Sequence, residues 1–202
     1  MANFWQKDFN EALQERRIQH YLDRIIAIML KPSFEGAQSG ENARRIARAI
    51  TLEVLIGLDP LRKGRIVRFL YEAGMIAGEA GEDGVGKAPV IPLHGADLID
   101  VALEGANLGW VNLCGVYLNR AKLRGAYLAG ANLGGVDLIQ ADLSGATLTN
   151  ANLMLADLRD ADFKDVDLRD VTVMAAQLST AKNVPVAKKS QGMSGSFGSG
   201  GA

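Results

Sequence analysis

Three side chains could support nucleophilic chemistry: Cys114, the only cysteine, and the two histidines, His20 and His94. A thiol nucleophile needs a neighbouring base and a third group to orient that base. His94 and Cys114 stand 20 residues apart, and no such third group accompanies them. Gly81-Glu82-Asp83-Gly84-Val85-Gly86-Lys87 matches GxxxxGK, the core of a phosphate-binding loop. That loop joins a strand to a helix and ends in Ser or Thr for magnesium. Here Ala88 and Pro89 follow and a helical pattern precedes, so the segment reads as a flexible linker. Asp97, Asn107, Asn112, Asn132, Asp137, Asp142, Asn152, Asp157, Asp162 and Asp167 are separated by multiples of five. Carboxylates in such number raise the question of a metal, but strict recurrence points to side chains bonding backbone at repeated corners. No catalytic, metal-ligating or cofactor-binding set is legible, which argues against an enzyme.

The frame that carries these residues is a repeat. From Ile91 the chain reads IPLHG, ADLID, VALEG, ANLGW, VNLCG and so on through 18 units, ending at Thr180. The third position is Leu in 16 of them, the exceptions being Phe163 and Val173, and the first is Ala, Val or Ile throughout. A period of five fits neither a helix nor a straight strand. The chain must therefore turn once per unit. Positions one and three point inward, and positions four and five make the corner, where Gly is frequent. Successive coils then pair backbone to backbone at about 4.8 Å.

Tandem A(D/N)LXX over Ile91–Thr180 resembles the pentapeptide-repeat family. Leu58–Ile76, LDPLRKGRIVRFLYEAGMI, resembles the segment before the repeats in cyanobacterial members. The resemblance implies a right-handed quadrilateral β-helix with four units per coil. The expected fold is thus mainly β with an α-helical N-terminal part, a pentapeptide-repeat solenoid. The expected divisions are a helical domain at 1–76, a Gly-rich linker at 77–90, the repeat at 91–181 and a flexible tail at 182–202.

In the N-terminal part, Trp5, Phe9, Leu13, Leu22, Ile25, Ile26 and Met29 form an apolar stripe that predicts a helix over 4–31. A second helix is expected over 41–58 with Ser39 as its cap. A third starts at Asp59-Pro60, where Asp caps and Pro fits the first turn, and runs to about Ala73. This part is locally rich in Arg, yet residues 1–90 hold 13 basic and 12 acidic groups. The whole chain of 202 residues carries a formal charge of −1, so bulk charge favours neither nucleic acid nor membrane. A lone cysteine and the lack of a long apolar run near Met1 lead to the expectation of a cytoplasmic protein. Phe4, Trp5 and Phe9 suit either a peripheral membrane contact or a cap for the open end of the coil.

With four units per coil, one side collects IPLHG, VNLCG, ANLGG, ANLML and VTVMA, and none of these holds a charged residue. That side offers Cys114, Met154, Leu155 and Met174, and the side before it offers Trp110 and Tyr127. These six residues are the expected docking surface for a protein partner, on a non-enzymatic scaffold. The alternatives are a DNA mimic that occupies a type II topoisomerase, or a peripheral membrane-associated assembly factor. For the first, residues 91–181 hold 11 acidic and 6 basic groups, a net of −5. End-to-end pairing into a homodimer is compatible with a short stack.

Overall fold

A computed structural model of the chain describes residues 2–30, 37–77 and 89–185. Four helices occur among them: α1 (Ala2–Met29), α2 (Ala37–Ile56), α3 (Pro60–Glu72) and the short α4 (Ala175–Leu178). Helix α3 starts where the sequence says it should. The Asp59 carboxylate accepts the Arg62 amide at 3.0 Å, and Pro60 fills the first helical position. Helix α2 begins earlier than expected, so Ser39 lies within its first turn rather than capping it. The GxxxxGK segment and nearly all of the tail lie outside the described residues.

The three long helices share one buried cluster. Ile18, Tyr21 and Ile25 of α1 meet Ala47, Ile50 and Leu55 of α2 and Ile66, Val67 and Leu70 of α3. At its centre the Tyr21 hydroxyl bonds Thr51 Oγ1 at 3.0 Å. Burial pushes the Tyr21 phenol up to about 12, and the Thr51 bond opposes that rise. Gln14 and Arg17 both donate to the Gly57 carbonyl, which fixes α1 against the end of α2.

From Ile91 onward the chain turns in units of five and returns to the same place every 20 residues. Isolated parallel bridges join Asp97 to Tyr117, Tyr117 to Asp137 and Asp137 to Asp157, and other units repeat the pattern. The first and third residues of the units are buried from Ile91 to Val171. Every fifth residue from Gly95 to Asp170 has φ between 54° and 76°, which turns the corner. Where that residue is Gly the left-handed region costs little, and Asn and Asp tolerate it better than other side chains. Each of the ten Asp and Asn at position two accepts the amide two residues on, as at Asp142 to Ser144 (2.9 Å) and Asp162 to Lys164 (2.9 Å).

The expected fold class needs correction. Among the described residues the regular elements are helices, and no β-strand or β-sheet forms. A label of mainly β, or of a β-helical solenoid walled by sheets, therefore does not describe the chain. The physical reason is the corner in every unit. It leaves a single residue, at position two, to bridge to the neighbouring coil, and one bridge does not make a ladder. The end of the repeat also departs from the pattern. VTVMA still bridges through Thr172 to Asn152, but its last residue and the expected unit AQLST run into α4, and Gln177 Nε2 donates back to the carbonyls of Leu153 and Ala156.

The helical part sits on the first coil. Arg48 donates to the carbonyls of Pro92 (3.0 Å) and His94 (2.6 Å), and Arg68 to that of Glu104 (3.2 Å). Lys63 Nζ meets Asp97 Oδ1 (3.0 Å) and the Ile99 carbonyl (3.4 Å), and the Tyr71 hydroxyl donates to Gly109 (3.0 Å). Ala77 makes an antiparallel bridge with Val111. The helical cluster and the coil interior form one continuous apolar core.

Candidate functional site

The six residues expected to form a neutral docking surface are placed as follows. Cys114 is exposed, Met154 is half-buried, and Leu155 is 77% exposed with φ of 62°. Met154 and Met174 lie one circuit apart on the same side, and Cys114 lies two circuits from Met154. Trp110 and Tyr127 are on the preceding side, about half exposed, and each ring packs on a glycine. A Cβ added at Gly130 would stand 2.5 Å from Trp110 Cδ2, so the indole lies on that glycine. Tyr127 covers Gly109 in the same way, at 2.9 Å from its Cε1.

With no β-strand or β-sheet among the described residues, the neutral face of a β-helical solenoid is not supported as the functional surface. At one end Arg48 sits on the carbonyls of Pro92 and His94. At the other, the last unit of that side runs into α4 directly after Met174. Between them Asn112, Asn132 and Asn152 turn their amides to one another and to local backbone, which leaves a narrow strip of Gly and single side chains. His94 does come near the residue after Cys114. Its ring lies over Gly115, where a Cβ would be 2.1 Å from Nδ1.

The charge is distributed unevenly along the coil. Residues 91–136 hold three acidic and three basic groups, whereas residues 137–170 hold eight acidic and three basic, a net of −5. The whole excess negative charge of the repeat therefore lies in its later coils, at the end away from the helical part. Asp137, Asp157 and Asp160 lie on one side, Asp142, Asp162 and Asp165 on the next, and Asp167 and Asp170 on the third. Asp160, Asp165 and Asp170 stand at corners, with φ of 60°, 56° and 54°.

Several of these carboxylates are locally held. Arg159 pairs with Asp157 (2.6 Å), Arg169 with Asp167 (2.7 Å) and Lys182 with Asp160 (3.0 Å). The Arg169 guanidinium, aided by its own backbone amide, lowers the Asp167 carboxyl to about 2. Asn183 and the Lys164 amide lower Asp162, and Arg159 lowers Asp157. These groups are ionised throughout the neutral range. Arg124, Asp142, Ser144, Asp162, Lys164 and Asp165 line an open polar groove of about 300 Å³. None of these acids is among the six expected docking residues; they belong to the net −5 on which the topoisomerase alternative rests. The signal for them was present in the sequence as the run of Asp from Asp157 to Asp170.

The Pentapeptide repeats family model matches eight copies over residues 93–130 and 131–170. A solved pentapeptide repeat protein from Nostoc PCC 7120 is 33% identical over 46% of this chain and 79% of its own, with a TM-score of 0.40. The chain belongs to the pentapeptide-repeat family. A second cyanobacterial structure, Rfr23 from Cyanothece 51142, is 38% identical over 39% of this chain and 46% of its own, with a TM-score of 0.21. A third relative, from the thylakoid lumen of Arabidopsis thaliana, is 32% identical over 36% of this chain, with a TM-score of 0.36. This chain spans 50% of that protein's length. A comparison with curated proteins gave no match.

Pentapeptide-repeat proteins are generally non-catalytic, and this one is not an enzyme. The expectation of a cytoplasmic protein is not supported, since the Arabidopsis thaliana relative is described as a thylakoid-lumen protein. A single cysteine and a short apolar run do not separate the two compartments. No helix among the described residues is long and apolar enough to cross a membrane.

Proposed function

We propose that this pentapeptide-repeat protein is a binding module that acts through the acidic end of its repeat. Its target is a basic protein surface that otherwise holds DNA, with a type II topoisomerase as the partner class. The single observation that carries the reading is the concentration of net charge −5 in residues 137–170, beside a neutral first half of the coil. Carboxylates fixed at regular corners make a rigid negative surface, and such surfaces steer association with a basic partner.

The test is a supercoiling assay with purified type II topoisomerase. Wild type should inhibit. Asp160→Asn/Asp165→Asn/Asp170→Asn should inhibit about tenfold less, because the acidic end loses three charges while Asn keeps the corner conformation. Absence of inhibition by wild type, or equal inhibition by the triple variant, would refute the proposal.

A further inference from the structure

A cleft of about 180 Å³ lies between α1 and α2. Its α1 wall is a basic stripe. Arg17, His20 and Arg24 follow one another at spacings of three and four residues, so they are neighbours on one helical face. The α2 wall contributes the carboxylate of Glu53. The remaining lining is apolar or satisfied: Ile50 is buried, Val54 is half-buried, and the buried Tyr21 has its hydroxyl tied to Thr51.

Arg17 is held in place before any ligand arrives. Nη1 donates to the Gly57 carbonyl at 2.8 Å. A Cβ at Gly57 would stand 2.5 Å from Arg17 Cζ and 2.7 Å from Nη2, so the guanidinium fills the space of a side chain there. Gly57 is not among the glycines with positive φ, so it makes room for the guanidinium rather than for a turn. The N–H donors on Nε and Nη2 are left over for another acceptor. His20, Arg24 and Glu53 make no hydrogen bond or ion pair among the described residues. Arg24 and Glu53 thus line one cleft with opposite charges and do not pair with each other.

We infer that this cleft binds a small zwitterion, an α-amino acid with an aliphatic side chain. Its carboxylate takes the donors of Arg17 and Arg24, whose planar guanidinium groups match a carboxylate. Its ammonium faces Glu53, and its side chain lies on Ile50 and Val54. Size sets the class, because pockets for drug-sized ligands run to about 300–1,000 Å³ and this one is smaller. Charge refines it. Glu53 repels a polyanion such as a nucleotide phosphate, and a plain carboxylic acid leaves Glu53 unanswered. The cleft belongs to the helical part, and its occupancy is independent of the acidic end of the repeat.

The experiment titrates the full chain with three probes through the millimolar range, following the backbone amide signals of α1 and α2 by NMR. L-leucine carries both charges, isocaproate lacks the ammonium, and isoamylamine lacks the carboxylate. L-leucine should shift the signals around Arg17, Arg24 and Glu53 saturably. Each half-ligand should bind at least about tenfold more weakly, since each loses one charged contact. Arg24→Gln and Glu53→Gln remove side chains that hold nothing else in the described structure, so both variants should fold. Both should bind L-leucine about tenfold more weakly, and Glu53→Gln should leave isocaproate binding no weaker. Three results would overturn the inference: no saturable shift with L-leucine, isocaproate binding as tightly as L-leucine, or wild-type affinity for L-leucine in both variants.

Discussion

Trp110 tests whether the exposed aromatics serve the coil or a partner. Gly125 and Gly130 both turn corners, with φ of 64° and 68°. Around Gly125 a new Cβ meets nothing within 4 Å, whereas at Gly130 it meets the Trp110 ring at 2.5 Å. Gly125→Ala should therefore cost only the left-handed conformation, about 1–2 kcal/mol. Gly130→Ala should cost that and the displaced indole. Trp110 is 51% exposed, so about half its surface is covered. That is roughly 100 Å², or about 2.5 kcal/mol at ~25 cal/mol per Å² as an upper value. The expected difference between the two variants is about 1–2 kcal/mol in urea unfolding. A double-mutant cycle isolates it. In a Trp110→Ala background the difference should vanish, because the ring is already gone. Equal costs for both glycines in the presence of Trp110, or a difference that survives its removal, would refute the covering role.

Other outcomes follow from the same structure. Asp100, Asp157, Asp162 and Asp167 have carboxyls lowered by partners, chiefly Arg120, Arg159, Asn183 and Arg169. Lowered folded values mean stability that is present above about pH 4 and lost towards pH 2, so the melting temperature should be flat from pH 5 to 8 and fall below. A rise on acidification would contradict this. Tyr21, raised to about 12, has the opposite sense: its contribution is intact below about pH 10 and is lost as the pH climbs through the folded value. Tyr21→Phe should flatten that alkaline loss, which is about 2–3 kcal/mol at most, measured by unfolding at pH 9 and 11. Lys63 is 6% exposed beside Asp97, so Asp97→Ala should destabilise by about 3–5 kcal/mol, more than Lys63→Met does, in chemical denaturation.

The five-residue period was legible because Leu at position three and Ala or Val at position one are forced by the coil's narrow interior. The corner role of Asp and Asn was legible for the same reason, since each bonds an amide two residues away. The fold class was not read correctly. Periodicity alone does not say that a corner in every unit leaves one bridging residue, too few for a strand. The neutral side was misjudged because its limits come from distant groups. Nothing in the local sequence places Arg48 on His94, or turns Ala175–Leu178 into a helix where the repeat called for another unit. Trp110 and Tyr127 looked free because the glycines beneath them are 20 and 18 residues away in the chain.

The most direct measurement of the central claim is competition for a DNA-binding surface. Labelled duplex DNA bound to a type II topoisomerase is titrated with this protein, and anisotropy is followed at low and moderate salt. The acidic-end account predicts that the protein displaces the DNA and that displacement weakens as salt screens the carboxylates. DNA that stays bound at saturating protein, or displacement indifferent to salt, would contradict it.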